Sequence, residues 1–339
     1  DQRNAGAEVS PAVNAAYYLD RWLTSSTAAS KFKIGQNAGS VTPPAGFTNY
    51  LGCTSLSAYS VGASETFSIQ HRIEGYNTAD LGWGTANAKT VTLSFWVRSS
   101  LTGTFGGSLR NSASGSTRSY PFSYTISSAN TWEQKSVTIA GDTTGTWVSD
   151  NTTGLNITFS LGAGSTFSTT AGAWAAGNFA SATGAVSVVG TNGATFYITG
   201  VQLEVGESAT GFDYRPYGTE LALCQRYYYR LFPNANPVNL TGAGISASTT
   251  SASSMTGFFP VTMRSAPTAL EQSGTASHYR INIPGITTQN LNAVPTFSSG
   301  TNEYMYAVNG TVASGLTTGY PAFLQTNNAA AYLGFSAEL

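Results

Sequence analysis

Aromatic side chains in loops are the residues of this sequence best suited to bind a ligand. Proteins hold sugars by stacking an aromatic ring on the apolar face of the sugar, while amides and hydroxyls bond to its rim. Trp83 and Trp174 lie in segments rich in small residues, Leu81-Gly-Trp-Gly84 and Gly172-Ala-Trp-Ala175, where we expect exposed rings. These surroundings favour stacking platforms for a saccharide.

A third tryptophan, Trp96, follows the alternation of a predicted strand. In Val91-Thr-Leu-Ser-Phe-Trp-Val97 the apolar side chains share one face and Trp96 lies on the other. Its ring either offers a stacking platform or packs into a second layer. Distal loops on a rigid sandwich often carry recognition, so three tyrosines of the C-terminal region complete the candidate carbohydrate-binding set: Tyr304, Tyr306 and Tyr320.

No arrangement of residues suits catalysis, so we expect a protein that is not an enzyme. Nucleophilic catalysis needs a base beside the nucleophile, usually histidine. His71 sits in an alternating strand and His278 lies far along the chain, so both are predicted to be structural. Glycosidases need two carboxylates across a cleft. Two pairs of carboxylates could be considered, Glu65 with Glu74 and Glu204 with Asp213. We expect all four to be salt-bridged or exposed to solvent.

Metal ligands are equally sparse. Two Cys and two His without ligand spacing exclude a zinc site. Cys53 and Cys224 either form one bridge or remain two buried thiols. We expect no cofactor, and the one cation left open is a structural Ca²⁺, which jelly-roll modules hold with carboxylates and backbone carbonyls. Its candidate carboxylates are Asp1, Glu8, Glu204 and Asp213.

Charge is scarce throughout the chain. Charged residues are 9% of 339, against roughly 25% in an ordinary soluble domain, and the formal net charge is −1. Aromatic residues at 12% argue against disorder. Nucleic acid and anionic membranes select clusters of Lys and Arg, so we expect neither partner, and no apolar stretch is long enough for membrane insertion. Uncharged faces tolerate packing against copies of themselves, which predicts a homo-oligomer.

Short alternating strands separated by Gly-rich turns run through the sequence. Turn signals such as Thr143-Thr-Gly and Thr191-Asn-Gly break the pattern repeatedly. Many short strands at such spacing indicate a sandwich or jelly roll. We expect strands at 91–97, 120–126, 137–139, 155–161 and 195–203, and later at 256–263, 278–283, 303–308 and 331–337.

A change of composition near residue 218 divides the chain. All six Trp lie before it, and only five formally charged side chains follow Arg230. We predict an all-β protein with an N-terminal jelly-roll sandwich over 1–217 and a smaller C-terminal β-sandwich over 230–339. Between them, 218–229 is a linker or short helix with Thr219 as its N-cap. Because the chain begins at Asp1 without Met or a secretory signal peptide, we expect a processed, truncated or internally numbered part of a longer gene product.

The segments Phe196–Gly206, Ala209–Tyr217 and Glu220–Tyr229 form one distinctive block. It resembles a block that recurs in phage structural proteins, usually tail fibre or virion structural proteins of marine phages and prophages. Supporting matches are Asp1-Gln-Arg-Asn-Ala-Gly6 and Leu19-Asp-Arg-Trp22. The block itself runs Phe196-Tyr-Ile-Thr-Gly-Val-Gln-Leu-Glu-Val-Gly206, Ala209-Thr-Gly-Phe-Asp-Tyr-Arg-Pro-Tyr217 and Glu220-Leu-Ala-Leu-Cys-Gln-Arg-Tyr-Tyr-Tyr229.

The resemblance implies a carbohydrate-binding-module-like jelly roll followed by a fibre-tip or oligomerising β domain, and it transfers no catalytic or sugar-binding residue. The leading hypothesis is a phage fibre or receptor-binding protein, a homotrimer assembled in the host cytoplasm and displayed on the virion surface. It would contact other virion proteins and bind host glycan through weak multivalent sites. The alternatives are a purely structural capsid-decorating or tail-connecting protein and a polysaccharide depolymerase tailspike.

Overall fold

The computed structural model describes residues 2–3, 8–113 and 115–339. Two compact units make up the chain, each with a core of its own. The first contains residues 3–214 together with Leu339, and the second contains Gln2 and residues 215–338. The division therefore falls between Tyr214 and Arg215, close to the predicted boundary after residue 217. Within the described residues no helix has the length and apolar character needed to cross a membrane.

The first unit is built from short strands joined by turns and three single-turn 3₁₀ helices (Gly75–Asn77, Ala79–Leu81 and Ser165–Phe167). In chain order its strands are β1 (Ala16–Leu19), β2 (Trp22–Ser26), β3 (Phe32–Gln36), β4 (Leu51–Ser55), β5 (Thr66–Glu74), β6 (Val91–Ser99), β7 (Gly103–Arg110), β8 (Arg118–Ile126), β9 (Glu133–Ile139), β10 (Thr153–Ala163), β11 (Ser168–Thr169), β12 (Ala175–Ala176), β13 (Ser181–Ala182) and β14 (Thr195–Val205).

These strands form a jelly-roll sandwich of two antiparallel sheets. The seven-stranded sheet has the order β1-β2-β5-β10-β7-β8-β12, and the five-stranded sheet has the order β3-β4-β14-β6-β9. The short strands β11 and β13 pair in parallel beside them. Neighbours in each sheet come from distant parts of the sequence, as Greek-key connections require. The predicted N-terminal jelly roll is confirmed.

Alternation along the strands decides which side chains form the core of the first unit. In β6, Val91, Leu93 and Phe95 are at most 1% exposed, whereas Trp96 points to the outer face. Phe95 meets Phe159 of β10 with ring centroids 5.0 Å apart, so this edge-to-face contact joins the two sheets. Successive strand residues face opposite sides, and the sequence pattern predicted this division correctly.

The second unit opens with helix α1 (Tyr217–Gln225) and continues as β-structure. Its strands are β15 (Tyr228–Leu231), β16 (Gly244–Ser246), β17 (Ser251–Phe258), β18 (Ala269–Gln272), β19 (Tyr279–Ile283), β20 (Thr287–Asn290), β21 (Thr296–Phe297), β22 (Met305–Thr311), β23 (Pro321–Thr326) and β24 (Leu333–Ser336), and one 3₁₀ turn covers Ala276–His278.

Two sheets enclose the core of the second unit. The smaller has the order β15-β24-β18 and the larger has the order β20-β19-β23-β16-β17-β22-β21. Phe335 of β24 joins them, because its ring lies 4.4 Å from that of Tyr306 on β22 and 5.3 Å from that of Phe259. The smaller C-terminal β-sandwich is thereby confirmed.

Two local predictions were wrong. Helix α1 begins at Tyr217, with Pro216 in the N-cap position, and not after Thr219. The proline ring restricts φ and favours the start of a helix there. The strand expected at 256–263 is β17, which ends at Phe258. Pro260 follows the strand and has no N–H group for a ladder hydrogen bond, so the pairing stops before the predicted end. Before the predicted range, Ser254 has φ +54° and the pairing with β22 shifts register, which marks a bulge.

Candidate functional site

Two of the predicted site residues, Trp83 and Trp174, meet a third tryptophan in one cluster. Trp83 lies 4.7 Å from Trp147 and 5.3 Å from Trp174, and the last two are 5.4 Å apart, all edge to face. Tyr120 of β8 adds a further edge contact to Trp174 at 5.4 Å. The three rings come from three separate loops, so the cluster ties these loops together.

The indole N–H groups of this cluster point inward. Trp83 donates to the carbonyl oxygen of Lys89 at 2.7 Å, and Trp174 donates to that of Ala140 at 2.7 Å. Trp83 is only 6% exposed, so the expectation of an exposed ring was wrong and no free face remains for stacking. Trp174 is partly exposed. Because both indoles satisfy loop carbonyls, the cluster has a structural role.

Trp96 lies on the outer face of the five-stranded sheet, between Gln134 of β9 and Thr199 of β14. Its side chain is partly exposed. Beside it, Thr199 donates to the carbonyl oxygen of Asn49 at 2.7 Å, which brings the segment before β4 onto this face. Three further aromatic rings pack together at centroid distances of 4.9 to 5.6 Å, those of Phe47, Phe212 and Tyr214. The Phe47 ring lies against Gly200 of β14.

The three tyrosines predicted in the second unit do not come together. Tyr306 is 4% exposed and donates to the carbonyl oxygen of Leu240, so it belongs to the core and its predicted ligand contact was wrong. Tyr304 and Tyr320 are 58% and 46% exposed. They lie toward opposite ends of β17, since the Tyr304 carbonyl accepts from Phe259 and the Tyr320 carbonyl accepts from Ser246.

A row of long polar side chains crosses the outer face of the seven-stranded sheet. Asn156 of β10 stands opposite Arg72 of β5 on one side and opposite Arg110 of β7 on the other. Directly paired residues on adjacent strands project from the same face. Their chain neighbours Leu155, Ile157 and Leu109 project into the core instead. This row, Arg72–Asn156–Arg110, forms the floor of a groove.

The walls of the groove come from two loops. Ser112 and Thr117 contribute from the loop between β7 and β8, and Asn178 contributes from the segment after β12. The groove encloses about 320 Å³, near the lower end of the range of roughly 300–1,000 Å³ for small-molecule sites. Its described lining contains hydroxyls, amides and two guanidinium groups, and neither a carboxylate nor an aromatic ring.

Beyond the groove the outer face of this sheet is covered. Ser108 and Thr158, which face outward on β7 and β10, have no exposed area. The chain around Ser181 crosses over them, and a Cβ added to Gly106 would lie 2.3 Å from the Ser181 hydroxyl oxygen. The covering segment therefore needs glycine at position 106 and leaves open the part of the face that holds the groove.

Hydrogen bonds leave part of the groove floor unsatisfied. Arg110 donates from Nη1 to Asn178 Oδ1, but its Nε is buried without a partner in the described structure. Asn156 is 6% exposed and donates to Gln70 at 2.8 Å, while its Oδ1 has no donor there. The side chain of Arg72 donates from Nη1 to the main-chain oxygen of Leu339. The floor thus keeps donors and an acceptor for a ligand.

Burial, and secondly the charge of Arg72, lower the pKa of Arg110 to about 10. Arg110 is still protonated at neutral pH. An arginine whose neighbours included a carboxylate would have its pKa raised instead. The groove therefore concentrates positive charge in a chain whose net charge is −1.

Sequence reasoning missed this groove because it followed the aromatic residues. A signal was present: Arg72 and Arg110 occupy outward positions of alternating strands in a chain with few charges. Such positions rarely need arginine for folding, since serine or threonine suffices elsewhere on the same face. The register that brings both to Asn156 depends on strand pairing, which the alternation alone does not reveal.

The carboxylates considered from the sequence are engaged in local structure. Glu65, which precedes β5, accepts from the Tyr59 hydroxyl at 2.6 Å and from the Gly62 N–H at 2.7 Å. Glu74 lies at the opposite end of that strand. Glu204 accepts from the Thr210 hydroxyl and N–H. The Gln202 side chain links the second pair, because it donates to Glu204 at 3.1 Å and accepts from the Asp213 N–H at 2.8 Å.

Metal ligands do not gather in the described part of the chain, where no group of three or more His, Cys, Asp or Glu could hold an ion. Of the candidate calcium ligands, Asp1 lies outside the described residues and Glu8 pairs with Lys33. Cys53 is a free thiol whose pKa is raised by burial, and Cys224 belongs to α1 of the second unit.

No protein-family model and no curated protein matches the chain. Among solved structures it is similar to the enzymatically active domain of tailspike protein 4 of bacteriophage CBA120, with 12% identity over 55% of this chain and a TM-score of 0.32. The match covers only 19% of that tailspike chain.

Several other similar structures are carbohydrate-binding modules. A family 11 module from Clostridium thermocellum in complex with a mixed-linked tetrasaccharide shares 12% identity, with 59% of this chain and 100% of that one covered and a TM-score of 0.29. A tandem of family 22 modules from Paenibacillus barcinonensis shares 9% identity over 98% of this chain and 97% of that one, with a TM-score of 0.30. At these TM-scores the fold assignment rests on the strand order of the molecule itself.

Proposed function

We propose that the first unit binds a glycan of the host surface, without acting on it, through the Arg72–Asn156–Arg110 groove. The observation that carries this proposal is the groove itself. Sugars present many hydroxyls, and a cleft lined by amides, hydroxyls and guanidinium groups offers a partner for each of them. The unpartnered Nε of Arg110 and Oδ1 of Asn156 supply a donor and an acceptor at its floor.

The setting that we propose is the surface of a phage particle, where the chain serves as a fibre or receptor-binding appendage. This part rests on the resemblance of residues 196–229 to phage structural proteins. That block forms β14, helix α1 and the first strand of the second unit, so it spans the division between the two units.

The use of the carboxylates supports the proposed non-catalytic role. Glu65 and Glu204 are held by hydrogen bonds within their own turns. Glycoside hydrolysis needs two carboxyl groups separated by about 5–10 Å across the bound sugar, and the described groove lining provides neither.

Self-association is the last part of the proposal. The second unit exposes several large apolar side chains, and it has few charged side chains that would repel other copies of the chain. Phe258 is 77% exposed and Ile245 is 49% exposed. A homotrimer would present three grooves at once, and weak single sites would then combine into strong attachment.

An array of bacterial surface polysaccharides tests the binding role. The full chain should bind a subset of the array, and Thr117→Trp, which fills the groove, should reduce that binding at least about tenfold. Asn178→Ala should reduce it as well, because it removes an amide from the wall. Asn77→Ala changes an exposed asparagine of the same unit outside the groove and should leave binding intact.

Three results would count against the proposal. Binding that survives both groove variants would place the ligand elsewhere. An absence of binding to every glycan and to host cells would favour the purely structural, capsid-decorating or tail-connecting role. Release of reducing ends from a bound polysaccharide would point to a depolymerase.

A further inference from the structure

We propose that the saccharide bound in the groove carries a carboxylate, which lies between Arg72 and Arg110. This inference rests on the proposed glycan binding and adds the chemical class of the sugar, a uronic acid or similar acidic unit. The carboxylate would accept from the two guanidinium groups, and a neighbouring sugar hydroxyl would donate to Asn156.

The register of the sheet places the two arginines at a suitable separation. They lie on β5 and β7, on either side of β10, in one row with Asn156. Adjacent strands are about 4.8 Å apart, so the two arginine backbones are roughly 10 Å apart. Two extended side chains can converge on a carboxylate over this distance, and guanidinium groups match its planar geometry.

Electrostatics favours an anion in this position. Burial and the nearby charge of Arg72 already disfavour the protonated form of Arg110, whose pKa falls to about 10. No carboxylate belongs to the described lining of the groove. Two neighbouring, partly buried cations repel each other, and an anion bound between them would be attracted to both.

The remaining groups of the groove favour a sugar acid over a bare anion. Asn156 Oδ1 is an acceptor without a donor, and an acidic oxygen cannot satisfy it. Asn178, Ser112 and Thr117 add further amide and hydroxyl groups around the charged row. A ligand with a carboxylate and adjacent hydroxyls satisfies both kinds of group at once.

Matched ligand pairs test the carboxylate without changing the protein. Calorimetry would compare polygalacturonate, alginate, hyaluronate and sialyllactose with their methyl esters, on the full chain. We expect at least one acid to bind and its ester to bind at least about tenfold more weakly. Raising the salt from about 50 mM to about 500 mM should weaken only the binding of the acid. Sulfated dextran tests whether any anionic polymer suffices.

Variants then assign the effect to the groove. Arg110→Gln should lower the affinity for the acid to that for its methyl ester. Arg110→Lys should restore part of the difference in affinity between acid and ester. Arg280→Gln removes an arginine from the outer face of a sheet in the second unit, where it donates to Gln325, and should change nothing. Unchanged unfolding midpoints would show that the variants are folded.

The outcomes separate this inference from the proposed function. Equal affinity for acid and ester, or equal binding of sulfated dextran, would overturn the carboxylate while leaving glycan binding in place. Neutral glycans whose binding is weakened by Asn178→Ala but unchanged by Arg110→Gln would also overturn the carboxylate and leave glycan binding in place. If neither acids, esters nor neutral glycans bind, both proposals fail.

Discussion

Arg118 and Asp142 form a two-point ion pair that joins the loop of Trp147 to the first residue of β8. Arg118 Nε lies 2.7 Å from Oδ2 of Asp142, and Nη2 lies 2.8 Å from Oδ1. The Asp142 side chain is 2% exposed. Its main-chain oxygen accepts from Gly84, next to Trp83. One carboxylate residue therefore holds two of the three loops that build the tryptophan cluster.

Asp142→Asn should destabilise the first unit. Burial raises the pKa of Asp142, but the bonds from Arg118 and Thr144 outweigh burial and hold the pKa below its ordinary value. The asparagine keeps the shape but leaves Arg118 without its counter-charge, at a cost of about 1.5–3 kcal/mol. Urea unfolding followed by tryptophan fluorescence measures this unit alone, because all six Trp precede residue 218.

The control variant Glu8→Gln, which breaks the more exposed ion pair with Lys33, should lower the unfolding free energy by less than about 1 kcal/mol. Equal costs would refute a special role for Asp142.

Trp83→Ala should cost the first unit about 3–5 kcal/mol, as loss of a large buried ring does elsewhere. The variant empties the centre of the tryptophan cluster and leaves the Lys89 carbonyl without its donor. Tyr76→Ala is the matched control, since Tyr76 belongs to the same unit and is 61% exposed. It should change the unfolding free energy by less than about 0.5 kcal/mol. A small effect of Trp83→Ala would mean that the ring contributes to something other than folding.

His71 should make the first unit sensitive to mild acid. Burial, and then the charge of Arg21, lower the pKa of His71 to about 3, whereas a histidine in the unfolded chain titrates near 6.5. Between these values the unfolded state binds a proton that the folded state does not, so stability falls as the pH falls below about 6.5.

The loss attributable to His71 should reach up to about 1.4 kcal/mol for each pH unit. Carboxylates such as Asp142, whose pKa is lowered, contribute only at more acid pH, so the range from pH 6.5 to 5 isolates the histidine. His71→Phe keeps a flat ring beside Trp22, 5.3 Å away in the native protein, and should flatten the dependence. An unchanged slope in this variant would show that another group is responsible.

Light scattering tests the proposed trimer. The full chain should give about three times its mass of 35.3 kDa, and Phe258→Ser should shift the population toward the monomer because it removes a large apolar side chain that is 77% exposed. Thr288→Ser is a mild surface change on β20 and should leave the mass unaltered. A monomer at every concentration would contradict self-association.

The sequence predicts the sheets better than it predicts the site. In β6 the alternation predicts which side chains enter the core between the two sheets, and Val91, Leu93 and Phe95 do so. It does not predict that Thr92 and Ser94 on the other face are buried as well. The sequence did not predict the register shift in β17 at Ser254, because a bulge adds one residue to a strand without changing its composition.

The groove could not be predicted because it depends on which strands become neighbours. Arg72, Asn156 and Arg110 are remote in sequence and meet only through the order β5-β10-β7. Trp83 shows the converse error. Its glycine neighbours suggested an exposed loop, but those glycines allow the loop to turn back against two other loops and bury the ring.

A crystal structure of the full chain with the tightest-binding acidic oligosaccharide tests the central claim most directly. We expect density for one sugar in the groove, with its carboxylate within hydrogen-bond distance of Arg72 and Arg110 and a hydroxyl at Asn156. Density stacked on Trp96, or lodged beside Tyr304 or Tyr320 with the groove empty, would contradict it.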